Sequence, residues 1–149
     1  MEIERKFLID KIPDSIDLSS LKCRRIEQGY LCTEPVVRVR RDNDDYYLTY
    51  KSKGLMAREE YNLPLNEAAY NTLIKKADGN IITKTRYEIP EKNNLTIELD
   101  IFEGKFSGLL LAEVEFSSEA EALAYTPPAW FGKDVTKDAS YHNSNMAKE

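Results

Sequence analysis

Apolar and polar residues alternate with a period of two along most of this chain, as they do in strands whose successive side chains face opposite sides of a sheet. Leu95, Ile97, Leu99 and Ile101 interleave with Thr96, Glu98 and Asp100, and Leu110, Ala112, Val114 and Phe116 with Glu113 and Glu115. The spacing predicts strands over 2–6, 22–33, 36–41, 46–53, 57–63, 81–89, 95–101 and 110–116, with Gly29 marking a bulge in the second. Turn chemistry separates them at Asp42-Asn43-Asp44-Asp45, Gly54, Pro64 and Glu91-Lys92-Asn93-Asn94. The period changes over 67–77, where Asn66 caps a helix, Leu65 and Tyr70 staple it, Leu73, Ile74 and Ala77 give an apolar stripe, and Gly79 stops it. Ser118 and Glu121 form a capping box for a short helix, and Thr136 caps a terminal helix in the tail 132–149 carrying Tyr141, Asn143 and Met146. Frequent turns between short strands, with no repeat, predict one domain over 1–149, mostly β: an antiparallel barrel or sandwich with a few helices.

The polar face of these strands is unusual. Like charges recur two apart: Glu2 and Glu4 followed by Lys6, then Arg38 and Arg40, Lys51 and Lys53, Lys84 and Arg86, Glu98 and Asp100, Glu113 and Glu115. Arg58 with Glu60 is a mixed pair. Solvated faces intersperse signs, and like charges opposed across a sheet repel, so acidic and basic strands need a compensating ligand. Carboxylates suit a hard cation such as Mg²⁺ or Mn²⁺, which keeps substrate phosphates among its ligands, and the basic strands suit the polyanion itself. A closed barrel with the charged face inward would set an acidic wall against a basic wall, the apolar face packing outside under helices.

Composition narrows the reading. With 149 residues and 42% hydrophobic content the chain can bury a core unaided. No apolar run approaches the roughly 18 residues of a membrane span, and a cytoplasmic location with no membrane partner is expected. Cys23 and Cys32 lack zinc-site spacing, and His142, the sole histidine, has no nucleophile context. A net charge of −5 argues against a stable nucleic-acid partner.

Glu2-x-Glu4-x-Lys6, Arg38-x-Arg40, Lys84-x-Arg86, Glu98-x-Asp100, Glu113-x-Glu115 and the closing Val135-Thr136-x-Asp138-x-x-Tyr141-x-Asn143 resemble, in that order, the CYTH superfamily of triphosphate tunnel metalloenzymes. The resemblance implies a closed eight-stranded antiparallel tunnel that binds triphosphate compounds with Mg²⁺ or Mn²⁺. On it, Glu2, Glu4, Glu113 and Glu115, with Glu98 and Asp100 as further acids, are the expected metal ligands. Lys6, Arg38, Arg40, Lys51, Lys53, Arg58, Lys84 and Arg86 are the expected phosphate ligands, and Glu4, Lys6 and Glu115 the catalytic groups. Asp138 and Tyr141 are candidates for ordering the tunnel mouth. Inorganic triphosphate is the expected substrate, because so short a chain has little with which to read a base or a thiazolium. A class IV adenylate cyclase, a thiamine triphosphatase and a non-catalytic polyphosphate or nucleotide sensor are the alternatives, and a homodimer is left open. Retention of three acidic pairs speaks against the sensor.

Overall fold

Every strand pairing in the computed structural model, which describes residues 1–148, is antiparallel. The strands are β1 (Glu2–Leu8), β2 (Cys23–Thr33), β3 (Val36–Asp42), β4 (Asp45–Lys51), β5 (Ala57–Arg58), β6 (Glu60–Leu65), β7 (Asp78–Pro90), β8 (Thr96–Phe102) and β9 (Leu110–Glu115). They form one sheet in the order β5-β1-β9-β8-β7-β2-β3-β4-β6. Its two ends are consecutive in sequence. β5 pairs with β1 and β6 with β4, while Glu59 between them exchanges hydrogen bonds with Ser52, so a single stretch of chain joins both edges and closes the barrel. The predicted strand over 57–63 is therefore two, and counting them as one recovers the expected eight.

Side-chain parity places the charges inside. Across the register Lys6 faces Glu113, Glu4 faces Glu115, Arg86 faces Asp100 and Lys51 faces Glu60, all on the concave face. On the convex face Ile3, Phe7, Ile97, Leu99, Ala112 and Val114 pack under Ala122 of α2 (Glu119–Ala124) and against Trp130 and Phe131. The convex face of β6 is not covered in this way: Tyr61 and Leu63 stay more than half exposed. At one end of the barrel the concave face turns apolar, and Ile82, Phe102 and Leu111 pack with Met146 and Ala147 from the C-terminal segment.

The helices differ from expectation in their extent. α1 (Glu67–Ile74) is capped by Asn66, whose Oδ1 accepts from Ala69 N, but it ends before Ala77. Gly79 is no stop: it lies inside β7 at φ +82°, where an added Cβ would meet Ala147 O at 2.1 Å. Bare backbone is needed there because Asn80 N donates to the same oxygen. The β2–β7 register shifts at Gly29, between Gln28 and Tyr30, but the extra residues there lie on β7; the bulge within β2 falls between Tyr30 and Cys32 against β3, and the missing Cβ of Gly29 leaves room for Ile74 and Ala77. In the tail a 3-10 turn over Ala139–Tyr141 leads into the short α3 (Asn143–Met146), in place of one longer helix, and residue 149 lies outside the described residues. Thr136 caps nothing; its hydroxyl accepts from Lys6 N and binds the Asp134 carboxylate, holding the tail along β1.

Candidate active site

The concave face encloses a cavity of about 190 Å³, lined by Lys6, Arg24, Arg38, Arg40, Lys51, Arg58, Lys84 and Arg86 on the basic side and by Glu2, Glu4, Glu60, Glu98, Glu113 and Glu115 on the acidic side. Cations outnumber carboxylates here, in a chain whose net charge is −5, so the cavity is set against the sign of the whole molecule. Strand period accounts for the convergence: each pair two residues apart projects to the same side, and closure turns that side inward.

Two expected residues stand elsewhere. Asp100 is fully buried behind the wall, where its carboxylate takes a forked pair from Arg86 at 2.7 and 2.9 Å and an ion pair from Lys84 at 2.7 Å. Burial alone would raise its pKa, but Arg86 and Lys84 override that and hold it below the ordinary value. It aims two cations instead of facing the cavity. Lys53 falls beyond the end of β4, loses the strand's parity and lines a neighbouring depression with Gly54 and Leu55. Conversely, Arg24, Glu60, Tyr30, Tyr47 and Asn143 line the cavity without having been singled out as ligands. Arg24 and Tyr30 sit on either side of the register shift that made the facing of β2 ambiguous. Asp138 caps a turn through Ser140 N, and Tyr141 contributes its backbone oxygen, 3.2 Å from Lys6 Nζ.

The cations fall into two groups. Lys6 and Arg86 bind Glu113, and Lys51 binds Glu2 and Glu60 at 2.8 and 3.2 Å. Arg38 and Arg40, both buried, have no carboxylate among the described residues. Arg38 Nη2 donates to Thr49 Oγ1 and Arg40 Nε to Gln28 Oε1, while Arg38 Nε is buried with no partner. Burial and the neighbouring charges of Arg38 and Arg86 lower the Arg40 pKa, the signature of positive charge lacking a counter-ion.

The acids divide likewise. Burial, outweighed by Lys6 and Arg86, leaves Glu113 well below the usual carboxylate range. Glu4 and Glu115 oppose each other across β1 and β9, and neither side chain makes an ion pair or hydrogen bond with the described residues. Burial and then Glu113 raise Glu4; burial and then Glu60 raise Glu115. Glu2, for all its contact with Lys51, is pushed up to about 8 by burial and the charge of Glu4. Facing carboxylates with raised pKa fit a divalent cation, which removes their repulsion. Among the described residues no three Asp, Glu, His or Cys side chains close into a ready-made cage. A cation held here would therefore keep water or substrate oxygens as ligands, as Mg²⁺ does.

Comparison with known proteins gives consistent results. The CYTH domain model matches residues 1–142. An inorganic triphosphatase of Nitrosomonas europaea is 39% identical over 98% of this chain and 96% of its own length. One of Acetivibrio thermocellus is 36% identical over 99% of this chain and 93% of its own. The crystal structure of an inorganic triphosphatase superposes with a TM-score of 0.73 at 37% identity, covering 100% of this chain and 95% of the other. No helix among the described residues is long and apolar enough to cross a membrane.

Proposed function

The chain belongs to the CYTH domain family, and from that premise we propose that it is an inorganic triphosphatase, hydrolysing tripolyphosphate to pyrophosphate and phosphate. One observation carries this reading beyond kinship: Arg38 and Arg40 are buried without a carboxylate partner among the described residues, in the same cavity as Glu4 and Glu115, whose side chains form no ion pair with those residues. A polyanion satisfies the first pair and a divalent cation the second.

In this reading Arg38, Arg40, Lys84 and Arg86 hold phosphate oxygens, arginine offering forked donors and lysine a point charge. Lys51 and Arg58 extend the basic wall past Glu2. Glu2, Glu4, Glu113 and Glu115 would hold Mg²⁺ or Mn²⁺, with Glu98 nearby on the same side. When bound, the metal neutralises charge developing on the phosphate oxygens. Glu4 and Glu115 orient the attacking water and accept its proton. The water oxygen bonds to the terminal phosphorus, the bridging P–O bond breaks, and pyrophosphate leaves with that bond's electrons. Lys6, anchored by Glu113 and the Tyr141 carbonyl, donates to the terminal phosphoryl oxygens as their charge shifts. Lys53 and Asp100 have no contact role here; Asp100 positions Lys84 and Arg86. The net charge of −5 supports a function without a stable nucleic-acid partner, and we assign the protein to the cytoplasm.

The decisive experiment incubates the protein with tripolyphosphate, ATP and thiamine triphosphate in turn, with Mg²⁺ or Mn²⁺, and measures released phosphate and cyclic AMP. Tripolyphosphate is expected to give the highest kcat/KM. Cyclic AMP from ATP would establish a cyclase instead, and tight binding of every polyphosphate without turnover a sensor.

A further inference from the structure

We propose that Asn143 binds the substrate directly, its side-chain Nδ2 donating to a phosphate oxygen, with Gln28 locking the amide in the orientation that allows it. The proposal rests on the triphosphatase reading above.

The argument starts at Arg40, whose guanidinium has donors only. Its Nε lies 2.7 Å from Gln28 Oε1, so that oxygen accepts and Gln28 Nε2 becomes the donor at the other end of the amide. Nε2 in turn lies 3.1 Å from Asn143 Oδ1. Lys84 Nζ, again a donor only, reaches the same oxygen at 3.1 Å. Two donors thus converge on one carbonyl oxygen, which has two lone pairs to receive them. Turning the Asn143 amide over would set its NH₂ against both, and each mispaired buried group costs about 1–3 kcal/mol. The hydrogen-bond network fixes the amide, as it must where hydrogens are assigned from partners.

What remains is Nδ2. Among the described residues it takes no hydrogen-bond partner, nor is it one of the buried polar atoms that lack one. Asn143 lines the cavity, whereas Gln28 is fully buried behind it. The open donor therefore meets the cavity, beside Lys84 and one amide away from Arg40. A neutral donor contributes what the charged groups do not: it asks for a phosphate oxygen at one position without adding to the mutual repulsion of Arg38, Arg40 and Arg86. It is also supplied from outside the sheet. Asn143 opens α3, whose Met146 is buried in the apolar end of the barrel, so this ligand is in place only when the C-terminal segment is seated.

The test is kcat/KM for tripolyphosphate, with whichever of Mg²⁺ or Mn²⁺ supports turnover. Asn143→Ala is expected to lower it about tenfold, the value of one hydrogen bond to a charged group. Part of that loss should persist in Lys84→Ala and Arg40→Ala backgrounds, reduced because both cations share the hydrogen-bond network that orients the amide, since a direct contact does not act only through either of them. An effect that vanishes in one of those backgrounds would reduce Asn143 to a positioning residue and overturn the proposal. Asn143→Asp covers the case in which the alanine variant fails to fold. It keeps an oxygen for Gln28 and Lys84, so it should melt at or above the wild-type temperature, yet it replaces the donor with an anion and should lose more than tenfold. Wild-type kcat/KM in Asn143→Asp would overturn the proposal. Absence of tripolyphosphate hydrolysis by the wild-type protein would remove the functional reading itself, and this inference with it.

Discussion

Arg38 illustrates how charge at a single position separates function from stability. It is buried, and among the described residues its Nε has no partner and Thr49 Oγ1 is its hydrogen-bond acceptor, so the fold gains little from its charge. Arg38→Ala should therefore lower kcat/KM for tripolyphosphate by about 10- to 100-fold, or about 1.5–3 kcal/mol, while the melting temperature stays level or rises. Glu4→Gln should abolish turnover and, in EDTA, stabilise the protein, since it removes one of two opposed carboxylates. Retained activity in that variant would rule out the acidic wall as the metal site. Glu2 contributes to the pH dependence of the metal-free protein, in the same direction as the raised Glu4 and Glu115. Its pKa rises from 4.5 to about 8 on folding, so between those values the folded state holds a proton that the unfolded chain has released. That contribution is complete below pH 4.5 and disappears as pH rises through 8. Melting temperature in EDTA should fall by a few degrees across that window, fall less steeply in Glu2→Gln, and recover on adding Mg²⁺ or Mn²⁺.

Among the elements, β7 carries the clearest structural risk. It donates to Ala147 O through Asn80, and Gly79 lets the tail approach with φ +82°. Gly79→Ala forces both a left-handed alanine and a clash with backbone oxygen, and should cost about 2 kcal/mol in chemical denaturation. Because α3 delivers Asn143, turnover should fall further than the lost stability explains at temperatures well below melting. The strands themselves were legible in the sequence, because a two-residue period fixes facing wherever no bulge intervenes. α1 was read too long, since the apolar stripe through Ala77 continues to pack on Gly29 after the helix has ended. The tail was misread for a related reason: its polar residues suggested helix caps, whereas Thr136 and Asp134 serve β1.

For the whole molecule, closure converts a list of charged pairs into a container. The cavity of about 190 Å³ is lined mostly by charged groups, so charge is what it reads first. Tripolyphosphate should therefore surpass ATP in kcat/KM, because the nucleoside adds bulk while removing a terminal charge. Pyrophosphate should be poor, being too short to meet the acidic wall and the far arginines together. Both comparisons come from initial rates of phosphate release.

The sequence determined the walls of this site. Alternation is local, so Glu2, Glu4 and Lys6, Arg38 and Arg40, Lys84 and Arg86, and Glu113 and Glu115 had to share faces within their strands once those strands formed. It could not determine depth or pairing along a face. Glu98 and Asp100 have the same parity, yet one lines the cavity and the other is buried between Arg86 and Lys84, because position along the barrel axis depends on register with β7 and β9. Lys51 and Lys53 likewise share parity only while the strand lasts, and it ends where Glu59 crosses from one edge to the other. The convergence of Gln28, Asn143 and Lys84 spans more than a hundred residues of chain, and no local period encodes it. Closure of the barrel and seating of the tail bring those three side chains within hydrogen-bond reach.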